Sequence, residues 1–453
     1  MTAAALPKRI CTLLLLFFIV IIAIISLSDD AWSAVSAPLP QWHVPFTTDT
    51  GILSNWWGSK GRPLRIAIME AVGTHDEVTA ALVHAFGGHP NAQLTLYIKN
   101  QRYNMEAIME NLDLPSPIVA VESSDIFIDH AQGPHPPDIL VSTTCEIDPE
   151  RKPVAFRHLL ARNTTHLFCV FHHADRWKRG RHVNVAREFL ARDRVDFIGL
   201  SQHTVDYFLN ETAANWATDD GAPPSIRAHA FPPVFPVDVP DLDPDAGPSL
   251  AMQGDYSSGR RDYKNIFQHL SNVIDRTHEL SATTHDNETV SLRLIGHGKH
   301  PEVPAAVRDR VFFDEGLSYP DFYALLSQSF SVIPAFASDT YLDRKASSTV
   351  PASLIAGAPL VASEGLLAAY SYLPREAAWV AEPGEGEMDV IERVIGEKDE
   401  FRKKRKLVRQ ARDRLMKENR AHVREWIANV LKLHPLAEDE DVEEGGDKDA
   451  EAK

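Results

Sequence analysis

Basic and hydroxyl side chains gather at two places in the second half of this chain. Residues 344–363 read RKASSTVPASLIAGAPLVAS: two cations, a run of three hydroxyls, two prolines, a glycine and an apolar run. Residues 253–265 read QGDYSSGRRDYKN, a glycine turn followed by three cations. Both combinations suit an anion. Ser347, Ser348 and Thr349 are residue types that start helices. Pro351 fits a first helical turn, where a missing N–H costs nothing, and Gly357 can end the helix. Such a helix start presents free N–H groups and a positive dipole end, to which Lys345 or Arg344 adds a full charge. In the other stretch, Arg260, Arg261 and Lys264 follow the turn at Gly254, and Gly296 in LIGHG marks another glycine-bearing strand end. A capped helix beside a solvated loop uses the same residue types; two clusters converging on one crevice favour a diphosphate site.

These residues need a scaffold, and the apolar pattern supplies one. From residue 64, short apolar runs (LRIAIME, LTLYI, PIVAV, DILVSTT, THLFCVF, VDFIGLS) alternate with helical patterns such as DEVTAALVHAF and PVAFRHLLARN. Strand–helix alternation implies a parallel sheet covered on both faces. The alternation stops at 231–248, FPPVFPVDVPDLDPDAGP, whose six prolines make an extended connector. It resumes with SLAMQG, SLRLIGHG, RVFFDEG, FSVIPAF, APLVAS and AAWVAE. The expected fold is α/β, with two Rossmann-like domains facing each other across a cleft. The expected layout is a first domain over 63–230, a linker over 231–248, a second domain over 249–400 and a charged C-terminal helix over 401–434.

The two ends differ in character from this body. Residues 10–27, ICTLLLLFFIVIIAIISL, are an uncharged apolar run that reaches about 27 Å as a helix. Lys8 and Arg9 precede it and Asp29 and Asp30 follow, which places residues 1–9 in the cytosol and everything beyond the span across the membrane. A cleaved signal peptide is the competing reading; typical signal cores are shorter, so an uncleaved signal-anchor is expected, followed by a stem over 28–62. The far end, AEDEDVEEGGDKDAEAK, carries nine acids against two lysines, a share of the net charge of −17 that marks 435–453 as an acidic disordered tail. Sequons at Asn163, Asn210 and Asn287 fit a lumenal body. Cys11 lies in the apolar run, and the other two cysteines, Cys145 and Cys169, could pair in an oxidising lumen or remain buried thiols. No basic domain, zinc spacing or aromatic–basic stripe points to nucleic acid.

The order QGDYSSGRRDYKNIFQHL, SLRLIGHG, RVFFDEGLSYPDFYALLSQSFSVIPAF and SSTVPASLIAGAPLVAS resembles the C-terminal half of GT-B glycosyltransferases. The first half matches more loosely, through VGTH, DILVSTT, VFHHAD, FIGLSQHTVDYFL and HAFPPVFP, and the resemblance spans roughly 64–430. It implies a glycosyltransferase that moves a sugar from a nucleotide-sugar donor to a glycan, glycoprotein or lipid in the secretory pathway, with a Golgi or, alternatively, endoplasmic-reticulum location. The diphosphate would lie against Arg260, Arg261, Lys264, Lys345, Ser347, Ser348 and Thr349, near Gly254 and Gly296. For proton transfer the resemblance points to the first half, to His75 in VGTHDE and then His172 in FHHAD. One departure stands out: the two glutamates that many retaining members carry around the last helix fall at Arg344 and Ala352 here. That leaves a catalytically inactive glycan-binding or scaffold protein as the alternative. No metal or cofactor is expected: the Asp-x-Asp in DLDPD lies in the connector, and adjacent histidines on a strand point to opposite faces.

Overall fold

The computed structural model describes residues 62–436 except 116, 217–224, 244–246 and 285–288. The apolar run over 10–27, the stem, the Asn287 sequon and the acidic tail beyond 436 lie outside the described residues. Among the described residues no helix is long and apolar enough to cross a membrane.

Seven parallel strands form the first sheet: β1 (Leu64–Glu70), β2 (Ala92–Ile98), β3 (Ile118–Ser123), β4 (Ile139–Ser142), β5 (His166–Phe171), β6 (Val195–Gly199) and β7 (Ala228–Ala230). Their order is β3-β2-β1-β4-β5-β6-β7. The central strands are buried along nearly their whole length, which explains why they read as continuous apolar runs rather than alternating ones. The strand order reverses between β1 and β4, so a crevice opens beyond their carboxyl ends. Loop 71–75 leaves β1 there.

The second half repeats the plan with β8 (Ser249–Gln253), β9 (Ser291–Gly296), β10 (Val311–Glu315) and β11 (Ser331–Val332), in the order β10-β9-β8-β11. A bridge between Val332 and Leu360 continues this sheet into β12 (Val361–Ala362) and β13 (Trp379–Val380). Its reversal lies between β8 and β11, beside the turn at Gly254.

Two cross-links set the frame. Cys145, in the loop after β4, is disulfide-bonded to Cys169 of β5, which decides the pairing that the sequence left open. The terminal helix, Lys398–Leu433, begins ahead of the boundary expected at 401 and packs on both halves. Arg412 donates to Ile355 O (3.2 Å) in the second half, while Asn419 donates to Pro232 O (2.8 Å) in the connector and Arg420 to His84 O (3.2 Å) in the first half.

Candidate functional site

A cavity of about 620 Å³ separates the two sheets, lined on one side by His75, Glu77 and His172 and on the other by Gly254, Lys345 and Ser348. That volume suits a nucleotide-sized ligand.

On the second-half side, β8 and β9 end in contact. A Cβ on Gly296 would stand 2.0 Å from Gly254 O, so this close approach requires glycine. Gly254 itself has φ +118. Arg261 fills the space behind the turn. Its guanidinium donates to Pro334 O (2.7 Å), Gln253 O (2.6 Å) and Thr349 Oγ1 (2.8 Å), with 7% of the residue exposed. The Thr349 hydroxyl is fully buried and also donates to Gln253 Oε1 (3.1 Å). Burial pushes the Arg261 guanidinium down from its ordinary value and the neighbouring Glu387 carboxyl up to about 7. Glu387 accepts the Ala335 N–H at 3.0 Å.

Of the seven residues expected at the diphosphate, two, Lys264 and Thr349, are not on the cleft wall, and a third, Arg261, lies on it with its guanidinium held by protein oxygens. Arg261 and Thr349 spend their polar atoms joining β8, β11 and helix Thr349–Ala356, so they brace the site. Lys264 is exposed on helix Tyr263–Thr284 and is not on the cleft wall. Arg260, Arg261, Lys345, Ser347 and Ser348 do line the cleft. Arg260 is half exposed and pairs with Asp255 at 2.8 Å. Ser348 occupies the N-cap position, and its own side chain makes no cap hydrogen bond to the helix. Ser347 Oγ accepts the Thr349 N–H (3.2 Å), while its own N–H donates to the Tyr370 hydroxyl (2.9 Å).

Lys345 stands where the halves meet. Its backbone bridges to His173, and the Ala174 N–H donates to Arg344 O (3.1 Å). His203 lies against Lys345 O through Nε2 (3.1 Å) and Ala369 O through Nδ1 (2.8 Å). Arg344, where the resemblance places a glutamate, pairs with Asp343 (3.0 Å) and Asp175 (3.4 Å); Ala352, at the other glutamate position, lines the cleft.

On the first-half side, the structure brings His75 and His172 together with ring centroids 4.0 Å apart. His172 Nε2 donates to Thr143 O (2.8 Å), and Glu146 Oε1 accepts the backbone N–H groups of His172 (2.5 Å) and His173 (2.7 Å). Glu70 sets the loop that presents His75, accepting the N–H groups of Val72 (3.1 Å), Gly73 (2.7 Å) and Thr74 (3.3 Å). Burial, then the neighbouring His172, His173 and Arg102, hold the His75 imidazole well below its usual range. It is thus neutral near pH 7, as a proton acceptor must be. Burial, with Glu77 and Glu70 nearby, pushes the Asp76 carboxyl up to about 7; burial also raises Glu77.

Four further residues, absent from the sequence-based assignment, line the cleft here: Glu77, Arg102 and Tyr103 on this wall and Tyr319 facing them from the second half. Arg102 donates to Gly73 O. Tyr103 and Asn104 both have φ 54, a left-handed backbone that is costly for tyrosine. Tyr103 O accepts the Tyr319 N–H at 2.6 Å, and the two rings meet edge to face at 6.1 Å. Adjacency to His75 was the available signal for Glu77; nothing in the QRYN sequence announces a cleft-spanning loop. Of the sequons, Asn163 and Asn210 are exposed.

Two parallel α/β halves, each with its strand-order reversal opening on one cleft, define a GT-B-type fold. No protein-family model matches the chain, and a search of curated proteins also finds no match. Among solved structures, the chain is similar to HepE of Anabaena in complex with UDP, with 12% identity over 82% of this chain and 100% of that one and a TM-score of 0.46. It is also similar to an O-GlcNAc transferase mutant from Thermobaculum terrenum (14%, 82% and 68%, 0.46) and a glycosyltransferase from Rickettsia africae (11%, 83% and 100%, 0.45).

Proposed function

We propose that this chain is a glycosyltransferase that takes a sugar from a nucleotide-sugar donor and passes it to a hydroxyl group. The observation that carries the reading is the opposition, across one cleft, of the start of helix Thr349–Ala356 with Lys345 and a half-buried imidazole at His75. The donor diphosphate lies against the start of helix Thr349–Ala356, with Lys345 and Arg260 countering its charge. The acceptor hydroxyl oxygen bonds to the anomeric carbon as the bond from that carbon to the diphosphate oxygen breaks. The hydroxyl proton passes to His75, with His172 holding the ring from one side. A single displacement of this kind inverts the anomeric centre.

The cellular setting is part of the proposal. The apolar run at 10–27 with its flanking charges, the Cys145–Cys169 disulfide and two exposed sequons support a signal-anchored, type II protein with its body in an oxidising secretory lumen, the Golgi first. The acceptor is then a glycan, glycoprotein or lipid.

Arg344 and Ala352 favour a second reading, a glycan-binding relative without activity, because neither offers the donor a carboxylate. Incubating the purified protein with UDP-, GDP- and CMP-sugars and assaying free nucleotide separates the two. Release from one donor class, accelerated by an acceptor glycan, is expected; no release from any donor supports the second reading.

A further inference from the structure

One corner of the cleft takes no part in placing the diphosphate or the proton. Tyr103, Tyr319 and Tyr323 line it together with Glu77. Tyr319 stands between the other two tyrosines, with ring centroids 6.1 Å from Tyr103 and 6.4 Å from Tyr323. Its hydroxyl points to Asp76 Oδ2 at 3.4 Å. Both halves build this corner: Glu77 and Tyr103 come from the first, Tyr319 and Tyr323 from helix Tyr319–Ser327 of the second.

Two features here are costly for the fold. Tyr323 is fully buried, yet its hydroxyl has no hydrogen-bond partner among the described residues. Such a group destabilises a protein until something meets it, and phenylalanine would fill the same space without the penalty. Phe235, edge on at 5.8 Å, and Tyr319 hold the ring in place. Burial, then the neighbouring Glu77, push this hydroxyl well above its ordinary range, so it keeps its proton and is able to donate it. The second feature is Tyr103, whose left-handed backbone is a strain that functional sites tolerate. The Arg102 guanidinium lies 5.6 Å from the centre of its ring, and 42% of Tyr103 stays exposed.

An open aromatic ring, a hydroxyl without a partner and a carboxyl thus share one corner. A sugar matches all three, because its C–H groups pack on an aromatic face while adjacent hydroxyls point outward. An acyl chain would leave Glu77 and the Tyr323 hydroxyl unmet. A serine or threonine side chain brings one hydroxyl where two partners stand. We propose that this corner is a sugar-binding subsite, in which one sugar unit stacks on Tyr103 and sets neighbouring hydroxyls against Glu77 and the Tyr323 hydroxyl. Its role as the acceptor site rests on the transfer reading above, and there it makes the acceptor a carbohydrate. Glu77 lies two residues beyond His75, so the unit is held beside the imidazole that takes the hydroxyl proton.

Saturation-transfer NMR on the full chain tests this with methyl β-galactoside, methyl α-mannoside and methyl β-N-acetylglucosaminide, beside a threonine-containing peptide. At least one glycoside is expected to bind, through its ring C–H protons and in preference to the peptide. Tyr103→Ala should weaken that glycoside about tenfold, and Tyr103→Phe, which keeps the ring, should restore it. Tyr323→Phe should weaken it about threefold or more, yet melt no lower than the wild type, because the hydroxyl it removes has no partner in the protein. No transfer to any of the three glycosides, wild-type affinity in Tyr103→Ala or in Tyr323→Phe, or preference for the peptide would each overturn the proposal. A calorimetric titration with UDP keeps the two readings apart. Glycoside binding without UDP binding retains this subsite and removes the transfer reading; UDP binding without glycoside binding does the reverse.

Discussion

At the scale of single residues, the account turns on proton and charge placement around His75. Replacing His75 by alanine removes the acceptor for the hydroxyl proton, so turnover should fall by about 10²- to 10⁴-fold. UDP affinity, measured by calorimetry, should stay within about twofold. A parallel loss of UDP binding would instead make His75 a structural residue. Asp76 gives a second prediction. Its carboxyl lies near 3.8 when free and is pushed up to about 7 in the fold, mainly by burial. A raised carboxyl contributes stability below the free value, and that contribution is lost as pH rises through 7. The melting temperature should therefore fall between pH 5 and pH 8, and Asp76→Asn should flatten part of that slope. Glu387, also pushed up to about 7, adds the same trend and remains in the variant. That His75, His172 and Lys345 lie on the cleft was legible in sequence because cations and imidazoles beside strand ends are chemically conspicuous. The contacts of Arg261 were not legible: whether a guanidinium faces a ligand or three protein oxygens depends on residues 73 and 88 positions away, one just after a strand and one at a helix start.

At the scale of elements, apolar runs marked the longer strands and the helices between them. β11, β12 and β13 are two residues each, so their boundaries carry little periodic signal, although their buried apolar cores were visible. The 71–75 loop depended on a carboxylate, Glu70, folding back onto three backbone N–H groups, which residue types alone do not reveal. Nor did they reveal that the loop after β4 is tied to β5. The Cys145–Cys169 bond closes a stretch with a sequence separation of 24, and bonds of this kind contribute about 3 kcal/mol. The double variant Cys145→Ser, Cys169→Ser should lower unfolding free energy by about 2–4 kcal/mol in urea titrations. Because Glu146 follows Cys145 and holds the His172 and His173 N–H groups, turnover should also drop more than UDP affinity does. Unchanged turnover would separate the disulfide from the site.

At the scale of the whole molecule, two similar halves meet through a small set of specific contacts. Tyr103 reaches Tyr319 at one side of the cleft, His203 reaches Lys345 and Ala369 at another, and helix Lys398–Leu433 straps the back. The connector at 231–248 and the restart of strand–helix alternation made the two-part plan legible in sequence. The strained Tyr103–Asn104 loop was not legible, because its partner is 216 residues away in helix Tyr319–Ser327 and the pairing exists only once both halves are folded. The same geometry places Lys345 and Arg260 on one wall and the His75 imidazole on the other, and the proposed function makes these the donor and acceptor ends of one cleft. Isothermal titration of UDP into the wild type and into Lys345→Ala tests it most directly. The account predicts saturable UDP binding by the wild type and a dissociation constant raised about tenfold in the variant, close to 1.4 kcal/mol. No UDP binding by the wild type, or equal affinity in both proteins, would contradict the placement of a diphosphate at this helix start.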